Sequence, residues 1–317
     1  MWIRSGKQKP VYTTGGTASE RTRSKIPAAC PASERRPAVN NKKIPVLISV
    51  PHGGTVIPER FRDRLLLTAE DIVLDSDTWT QYVYDFEGKM ESFEVMQAAR
   101  IVVDANRDPT DRPPENSDGV VKTVTVNGKK VWDRDLTEDE TDSLIHEYWE
   151  PFHRRLLEAV SRSEVKFAID CHSMLDKGPA RGKPEWEKRP AFCISNRGTA
   201  GGESGEEVVT APPYLMRKLQ ILLEEVFADQ PADGLPLVMI NEPFRGGFIT
   251  RSLGARSDIP WIQLEINRRL YLPKHAGIQP DEEDLSRMQL FRDRFYEVFT
   301  RLAAEDTMAP EDEKSIS

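Results

Sequence analysis

The chain has only five histidines in 317 residues, few enough to weigh one by one. His52 follows the apolar run Ile44-Pro-Val-Leu-Ile-Ser-Val50 in the turn Pro51-His-Gly-Gly54, and His172 lies in Asp170-Cys-His-Ser173, directly after Val165-Lys-Phe-Ala-Ile169. Glu265 sits inside a third apolar run, Trp261-Ile-Gln-Leu-Glu-Ile-Asn267. Alternate residues of a strand share a face, so Asp170 projects with His172, and Gln263 and Asn267 project with Glu265. A carboxylate inside a buried run costs several kcal/mol or shifts its pKa unless it is paired, ligates a metal or acts as a base. Cys30, Cys171 and Cys193 contain no CxxC pair, so any metal here uses histidine and carboxylate ligands.

The other candidates are weaker. His146 and His153 are seven residues apart on one amphipathic helix beside Tyr148, Trp149 and Phe152, and read as packing or rim residues. His275 stands in a loop without a partner nearby in sequence. Ser173 lacks a GxSxG elbow and reads as a supporting hydrogen bonder. Cys171 alternates away from His172, and reads as a buried apolar residue. The loop 198–205 has neither a GxGxxG nor a Walker pattern, so no nucleotide is expected.

The elements that must carry these groups alternate between strand and helix. Helical stretches are expected near 58–70 and 77–90, a segment at least partly strand over 94–103, and a hairpin of 120–126 with 129–132 about Asn127-Gly128. A long helix is expected over 137–161, opened by the capping box Thr137-Glu-Asp-Glu140, with Leu144, Tyr148, Phe152, Leu156 and Val160 as its apolar stripe. Strands follow at 165–169, 191–195, 237–240 and 261–267, with helices at 212–228 and 281–304. This order predicts an α/β fold: a mixed, largely parallel sheet with helices on both faces, whose strand ends are where ligands bind.

Residues 1–44 hold ten Lys/Arg against two Glu, a local charge of +8 within a total of −8, which leaves −16 on the remainder. The segment lacks a hydrophobic period and is expected to be disordered. One catalytic domain is expected over 45–305, followed by a disordered tail at 306–317. No apolar run approaches the ~18 residues of a membrane span, and the acidic body argues against nucleic acid as a principal substrate. A soluble, cytoplasmic protein is the expectation, with neither membrane nor nucleic acid as partner.

Six ordered segments together resemble the N-formylglutamate amidohydrolase family: Ser49-Val-Pro-His-Gly-Gly54, Asp75-Ser-Asp77, Val103-Asp-Ala-Asn-Arg107, Asp170-Cys-His-Ser173, Asn241-Glu-Pro-Phe-Arg-Gly-Gly-Phe-Ile-Thr-Arg251 and Gln263-Leu-Glu-Ile-Asn-Arg268. The resemblance runs from about residue 45 to residue 300 and implies a zinc-carboxypeptidase-like (phosphorylase/hydrolase-like) fold. It implies one zinc ion, with His52 and His172 as ligands. The glutamate that related sites carry three residues after the first histidine is Thr55 here, so Asp77 is taken as third ligand, with Asp75 and Glu59 as alternatives. The resemblance makes Glu265 the general base and Asp170 an orienting partner of His172 or a loop cap. It makes Asn106 and Arg107 a pair that holds substrate carboxylate or polarises the scissile carbonyl, and Arg245 and Arg251 further carboxylate grips. The implied reaction is hydrolysis of N-formyl-L-glutamate, or a close acidic N-acyl amino acid, to formate and glutamate, as in histidine degradation. The alternatives are a related zinc deacylase or carboxypeptidase-like hydrolase with another substrate, or a binding protein on a degenerate scaffold.

Overall fold

The structure, a computed structural model, describes residues 42–179 and 185–304. The expected disordered ends, 306–317 and all but the last three residues of 1–44, lie outside them. Ile44 already opens the first strand. In chain order the elements are β1 (Ile44–Val50), the short helices α1 (Glu59–Arg62), α2 (Ala69–Asp75) and α3 (Thr80–Val83), β2 (Met90–Val95), α4 (Glu138–Leu144), α5 (Glu150–Val160), β3 (Phe167–Met174), β4 (Lys177–Pro179), β5 (Trp186–Lys188), β6 (Phe192–Ser195), α6 (Pro213–Val226), β7 (Val238–Ile240), α7 (Phe248–Gly254), β8 (Trp261–Asn267) and α8 (Glu282–Ala304).

Six strands form one mixed sheet in the order β2-β1-β3-β8-β6-β7, and β4 and β5 form a separate antiparallel pair. β2, β1, β3 and β8 are parallel, so their carboxyl ends share one edge; β6 runs against β8 and is parallel to β7. The period-2 alternation sorts the side chains. Val46, Ile48, Val50, Ile169, Cys171, Ile262, Leu264 and Ile266 join a core capped by α3, α6 and α8. Leu47, Ala168 and Trp261 face the opposite way, into a second core built with α4, α5 and α7. Helices therefore cover both faces, as the alternation of elements predicts.

Register gives the second face its character. Leu47, Ala168 and Trp261 are cross-strand partners and form an apolar row. One step toward the carboxyl edge, Ser49, Asp170, Gln263 and Ser195 form a polar row, and the next step pairs His172 with Glu265. The sheet thus changes from core to chemistry within two residues on one face only.

Several elements differ from expectation. The two helices expected over 58–70 and 77–90 are α1, α2 and α3: a stretch including extended chain separates the first two, and a turn through Asp77–Trp79, with Trp79 at φ +62°, separates α2 from α3. Leu66 donates instead to the carbonyl of Val131, and the Thr68–Asp71 capping box starts α2 afresh. The segment 94–103 is strand only to Val95; beyond it Ala98 bridges Val56 and the chain turns over 99–103. The hairpin about Asn127-Gly128 forms, with Gly128 at φ +76° and isolated bridges in place of a full ladder. The helix opened by the Thr137–Glu140 box is interrupted by a π-helical turn, Ile145–Trp149. Pro151 explains it: proline has no N–H for the α-helical bond to residue 147, and one wider turn absorbs the defect.

Candidate active site

The parallel strand ends position the histidines. His52 follows β1 in a turn pressed so closely on the chain at Gln97–Ala98 that a Cβ at Gly54 would lie 2.4 Å from either carbonyl oxygen. His172 projects from β3, and Asp77 follows α2, where its Oδ2 accepts the backbone N–H of Ser173 at 3.0 Å. That same Oδ2 lies 3.1 Å from His172 Nδ1 and 3.4 Å from His52 Nδ1. Each imidazole is held from behind by a second acid: His52 Nε2 donates to Asp104 at 2.7 Å, and His172 Nε2 to Asp170 at 3.0 Å. Carboxylates only accept, so these bonds place a proton on each Nε2 and aim each Nδ1 at Asp77.

His52, Asp77 and His172 each offer a ligand atom, and the three atoms lie within 4.8 Å of one another, all on buried residues. His52 Nδ1 is buried without a hydrogen-bond partner. Two imidazoles and a carboxylate with one orphaned nitrogen between them fit a divalent metal such as zinc. Burial opposes ionisation of Asp77, but the two imidazoles outweigh it and hold the carboxyl well below its ordinary range. For Asp104 burial is likewise outweighed, by His52 and Arg100. Burial disfavours a charged His172, yet Asp170 and Asp77 push its pKa well above the usual histidine value.

Glu265 lies beside His172 in register, with burial raising its pKa against the pull of His172. Gln263 fixes it: Gln263 Nε2 donates to Glu265 Oε1 at 2.9 Å, and Gln263 Oε1 accepts from Gly247 N at 2.7 Å. One cavity of about 700 Å³ is lined by His52, Asp77, His172, Glu265, Asn106, Arg107 and Arg245. Asn106 accepts the Ile249 amide at 2.8 Å and lies 3.3 Å from His172 Nε2. Arg107 is clamped by Asp118, its Nε on the carbonyl and its Nη2 on the carboxylate.

The remaining expected residues lie elsewhere. Asp170 is fully buried behind His172 and does not line the cavity, so it orients rather than touches a ligand. Asp75 sits in the wall, paired at 2.8 Å with the buried Lys122. Glu59 is exposed on α1 and pairs with Arg62 at 3.1 Å, away from the metal cluster. Arg251 departs from its expected role as a carboxylate grip: α7 starts between it and Arg245, and Arg251 is exposed over the Phe248 ring and absent from the cavity lining. His146 and His275 are exposed, Ser173 Oγ accepts from Arg268, and Cys171 packs in the opposite core.

Sequence reading assigned no role to Asp104, Arg100, Arg268, Gln263, Lys122 or Arg189. Asp104 had a signal, an acid between the apolar Val103 and Ala105; Arg189 stands in a polar stretch and had none. Lys122 is 1% exposed and bridges Asp75 and Asp118, at 2.8 and 2.9 Å. Breaking a buried pair strands the other charge, so Lys122→Met is expected to cost about 3–5 kcal/mol in chemical denaturation; an unchanged midpoint would contradict this role.

His153 carries the loop of Asp104, Asn106 and Arg107, its Nε2 donating to the Ala105 carbonyl at 2.8 Å under the stacked Trp149 ring. Burial lowers its pKa to about 4. A histidine whose folded pKa lies below the unfolded value of ~6.5 stabilises the fold above that pH, and the contribution is lost as pH falls from there toward 4. The loss amounts to roughly 3 kcal/mol. The urea midpoint of the wild type should fall across this window, and that of His153→Gln should fall less steeply.

Fold and site together define a mixed α/β protein with a buried histidine–carboxylate cluster and an adjacent glutamate at the ends of parallel strands. A family model described as N-formylglutamate amidohydrolase matches residues 44–272. The chain belongs to that family. It is 28% identical over 240 residues to the N-formylglutamate deformylase of Pseudomonas putida, covering 73% of this chain and 82% of that one. It is 28% identical over 244 residues to the N-formylglutamate deformylase of Pseudomonas aeruginosa, covering 74% and 84%. The crystal structure of an N-formylglutamate amidohydrolase from Ralstonia eutropha aligns with a TM-score of 0.61 at 20% identity, covering 83% of this chain and 93% of that one.

Proposed function

We propose that the protein is a metal-dependent amidohydrolase that splits N-formyl-L-glutamate with water into formate and L-glutamate. The observation that carries this reading is the convergence of two imidazoles and Asp77, with Glu265 beside them in one cavity, in a chain of this family. His52, Asp77 and His172 would hold the ion, and zinc is the proposed one. Such an ion supplies Lewis acidity that polarises the scissile carbonyl and makes water easier to deprotonate.

The chain's own residues do the rest. Glu265, with its Oε1 held by Gln263, uses its other oxygen to take the proton of the attacking water. As the C–N bond breaks, it gives that proton to the departing nitrogen. Asp104 and Asp170 keep the two imidazoles in one tautomer and orientation throughout. Asn106, Arg107 and Arg245 are the proposed grips for substrate carboxylate, since guanidinium groups bind carboxylates in planar forks. The proposal places the activity in the cytoplasm, in keeping with the free thiols of Cys171 and Cys193. Among the described residues no helix is long and apolar enough to cross a membrane.

Metal analysis and formate release decide the matter. Purified protein should hold about one zinc per chain and should release formate from N-formylglutamate in preference to cleaving N-acetylaspartate or N-succinylglutamate. Preference for another acyl compound would make it a related deacylase. Absence of stoichiometric metal, together with wild-type behaviour of His172→Ala, would point to a binding protein on this scaffold.

A further inference from the structure

Arg189 directly follows β5, and its backbone is tied down on both sides. Its N–H donates to Asp176 at 2.8 Å, and its carbonyl accepts from Arg269 Nη1 at 3.0 Å. Its guanidinium carbon lies 4.9 Å from the centre of the Phe244 ring. The group passes so close to Gly178 that a Cβ there would sit 1.9 Å from a terminal nitrogen, so only glycine leaves it this path. Packed against a ring and a glycine, the guanidinium is restrained before any ligand arrives.

Its side-chain donors, by contrast, find no acceptor among the described residues. Nε is buried without a hydrogen-bond partner, and among the described residues no carboxylate is in ion-pair contact with the group; Glu265 acts on it only through space. The other arginines lining the cavity are engaged: Arg100 with Asp104, Arg107 with Asp118, Arg268 with Asp77, and Arg245 with the carbonyls of Arg197 and Gly198. An arginine stays charged in a protein, so a half-buried and unpaired one is costly unless an anion completes it. Arg189 also marks a boundary. It lines the cavity of the histidine cluster and the adjoining cavity beyond it, as Arg245 does, whereas His52, Asn106 and Arg107 line only the first; of the two boundary arginines, Arg245 is spent on backbone carbonyls and Arg189 is not.

We propose that Arg189 is the specificity-determining residue of this site, and that it receives the side-chain carboxylate of a dicarboxylic N-formyl amino acid. The α-carboxylate is one carbon from the scissile nitrogen and stays with the inner groups. A γ-carboxylate lies farther out, toward the boundary that Arg189 occupies. The assignment rests on the proposed hydrolase reading, and its test separates the two.

Steady-state kinetics with N-formylglutamate and its neutral near-isostere N-formylglutamine form the test, on wild type, Arg189→Met and Arg189→Lys, each checked for unchanged metal content and unfolding midpoint. Loss of a charge-assisted bidentate contact should raise KM for N-formylglutamate about 30–100-fold. The parameters for N-formylglutamine should move less than about 3-fold, and Arg189→Lys should recover part of the loss. Equal losses on both compounds, or no loss on either, overturn the assignment. If the wild type releases formate from neither compound, the hydrolase reading fails by itself, and calorimetric binding of glutarate and its monoamide then judges Arg189. A wild-type preference for glutarate that Arg189→Met erases supports the assignment; no preference, or one the variant keeps, overturns it.

Discussion

Glu265→Gln is expected to lower kcat for formate release by about 10²–10⁴-fold, the usual range for removal of a general acid–base group, while the bound metal is retained. The substitution is close to isosteric, and Gln263 Nε2 can still donate to the new amide oxygen as it now donates to Glu265 Oε1. The three ligating atoms are untouched, because Glu265 is not among them. Burial already opposes ionisation of this carboxyl, so its replacement by a neutral amide should leave the unfolding midpoint unchanged or raised. Rapid-quench measurement of formate alongside metal analysis checks both halves. Unchanged turnover would remove Glu265 from the proton-transfer step, and loss of metal would move it among the ligands.

Asp77→Asn should have the opposite signature, with metal and turnover lost together. One oxygen of Asp77 faces both Nδ1 atoms, and the other lies 3.3 Å from Arg268 Nη2 and 3.7 Å from Arg100 Nη1. Asparagine keeps the shape but surrenders the charge, which is both a ligand charge and the counter-charge to two arginines. Dialysed Asp77→Asn should retain under about a tenth of an equivalent of metal. Asp104→Asn gives a graded comparison: besides Arg100 and the Asn106 amide, Asp104 holds the rear nitrogen of His52 and none of the ligating atoms, and loss of a group of that kind weakens metal binding by about 10–100-fold. Stoichiometric metal in dialysed Asp77→Asn would sink the proposed ligand set.

The sheet and its polar face were legible in the sequence because both depend on local alternation. Trp261–Asn267 is the observed extent of β8, and the Thr137–Glu140 box opens its helix as expected. The pairing of Asp170 with His172 on one face follows from period 2 alone. Less was legible where tertiary contacts override local preference. The segment 58–70 has helical spacing, but Leu66 finds a sheet-like partner in Val131. The resemblance made both Arg245 and Arg251 carboxylate grips, whereas α7 begins at Phe248 and carries Arg251 to the surface. Arg189 was illegible for a different reason. Its environment is made by Phe244 and Gly178, residues distant in sequence and unremarked in type.

The polar row Ser49–Asp170–Gln263–Ser195 bears on how this molecule could change. It crosses four strands at the middle of the sheet, its members 0–4% exposed, where packing alone would choose aliphatic side chains. Replacing a satisfied buried polar pair by apolar groups of similar shape is often neutral or stabilising. A search for heat-resistant variants should therefore be drawn to Ser49 and Asp170, whose loss would leave the topology standing and the imidazole of His172 without its rear support. Thermal selection and selection for turnover pull against each other at this row, so durable variants that keep their activity should arise instead on the opposite face, among Val46, Ile48, Ile169 and Ile262 and the helices that cover them.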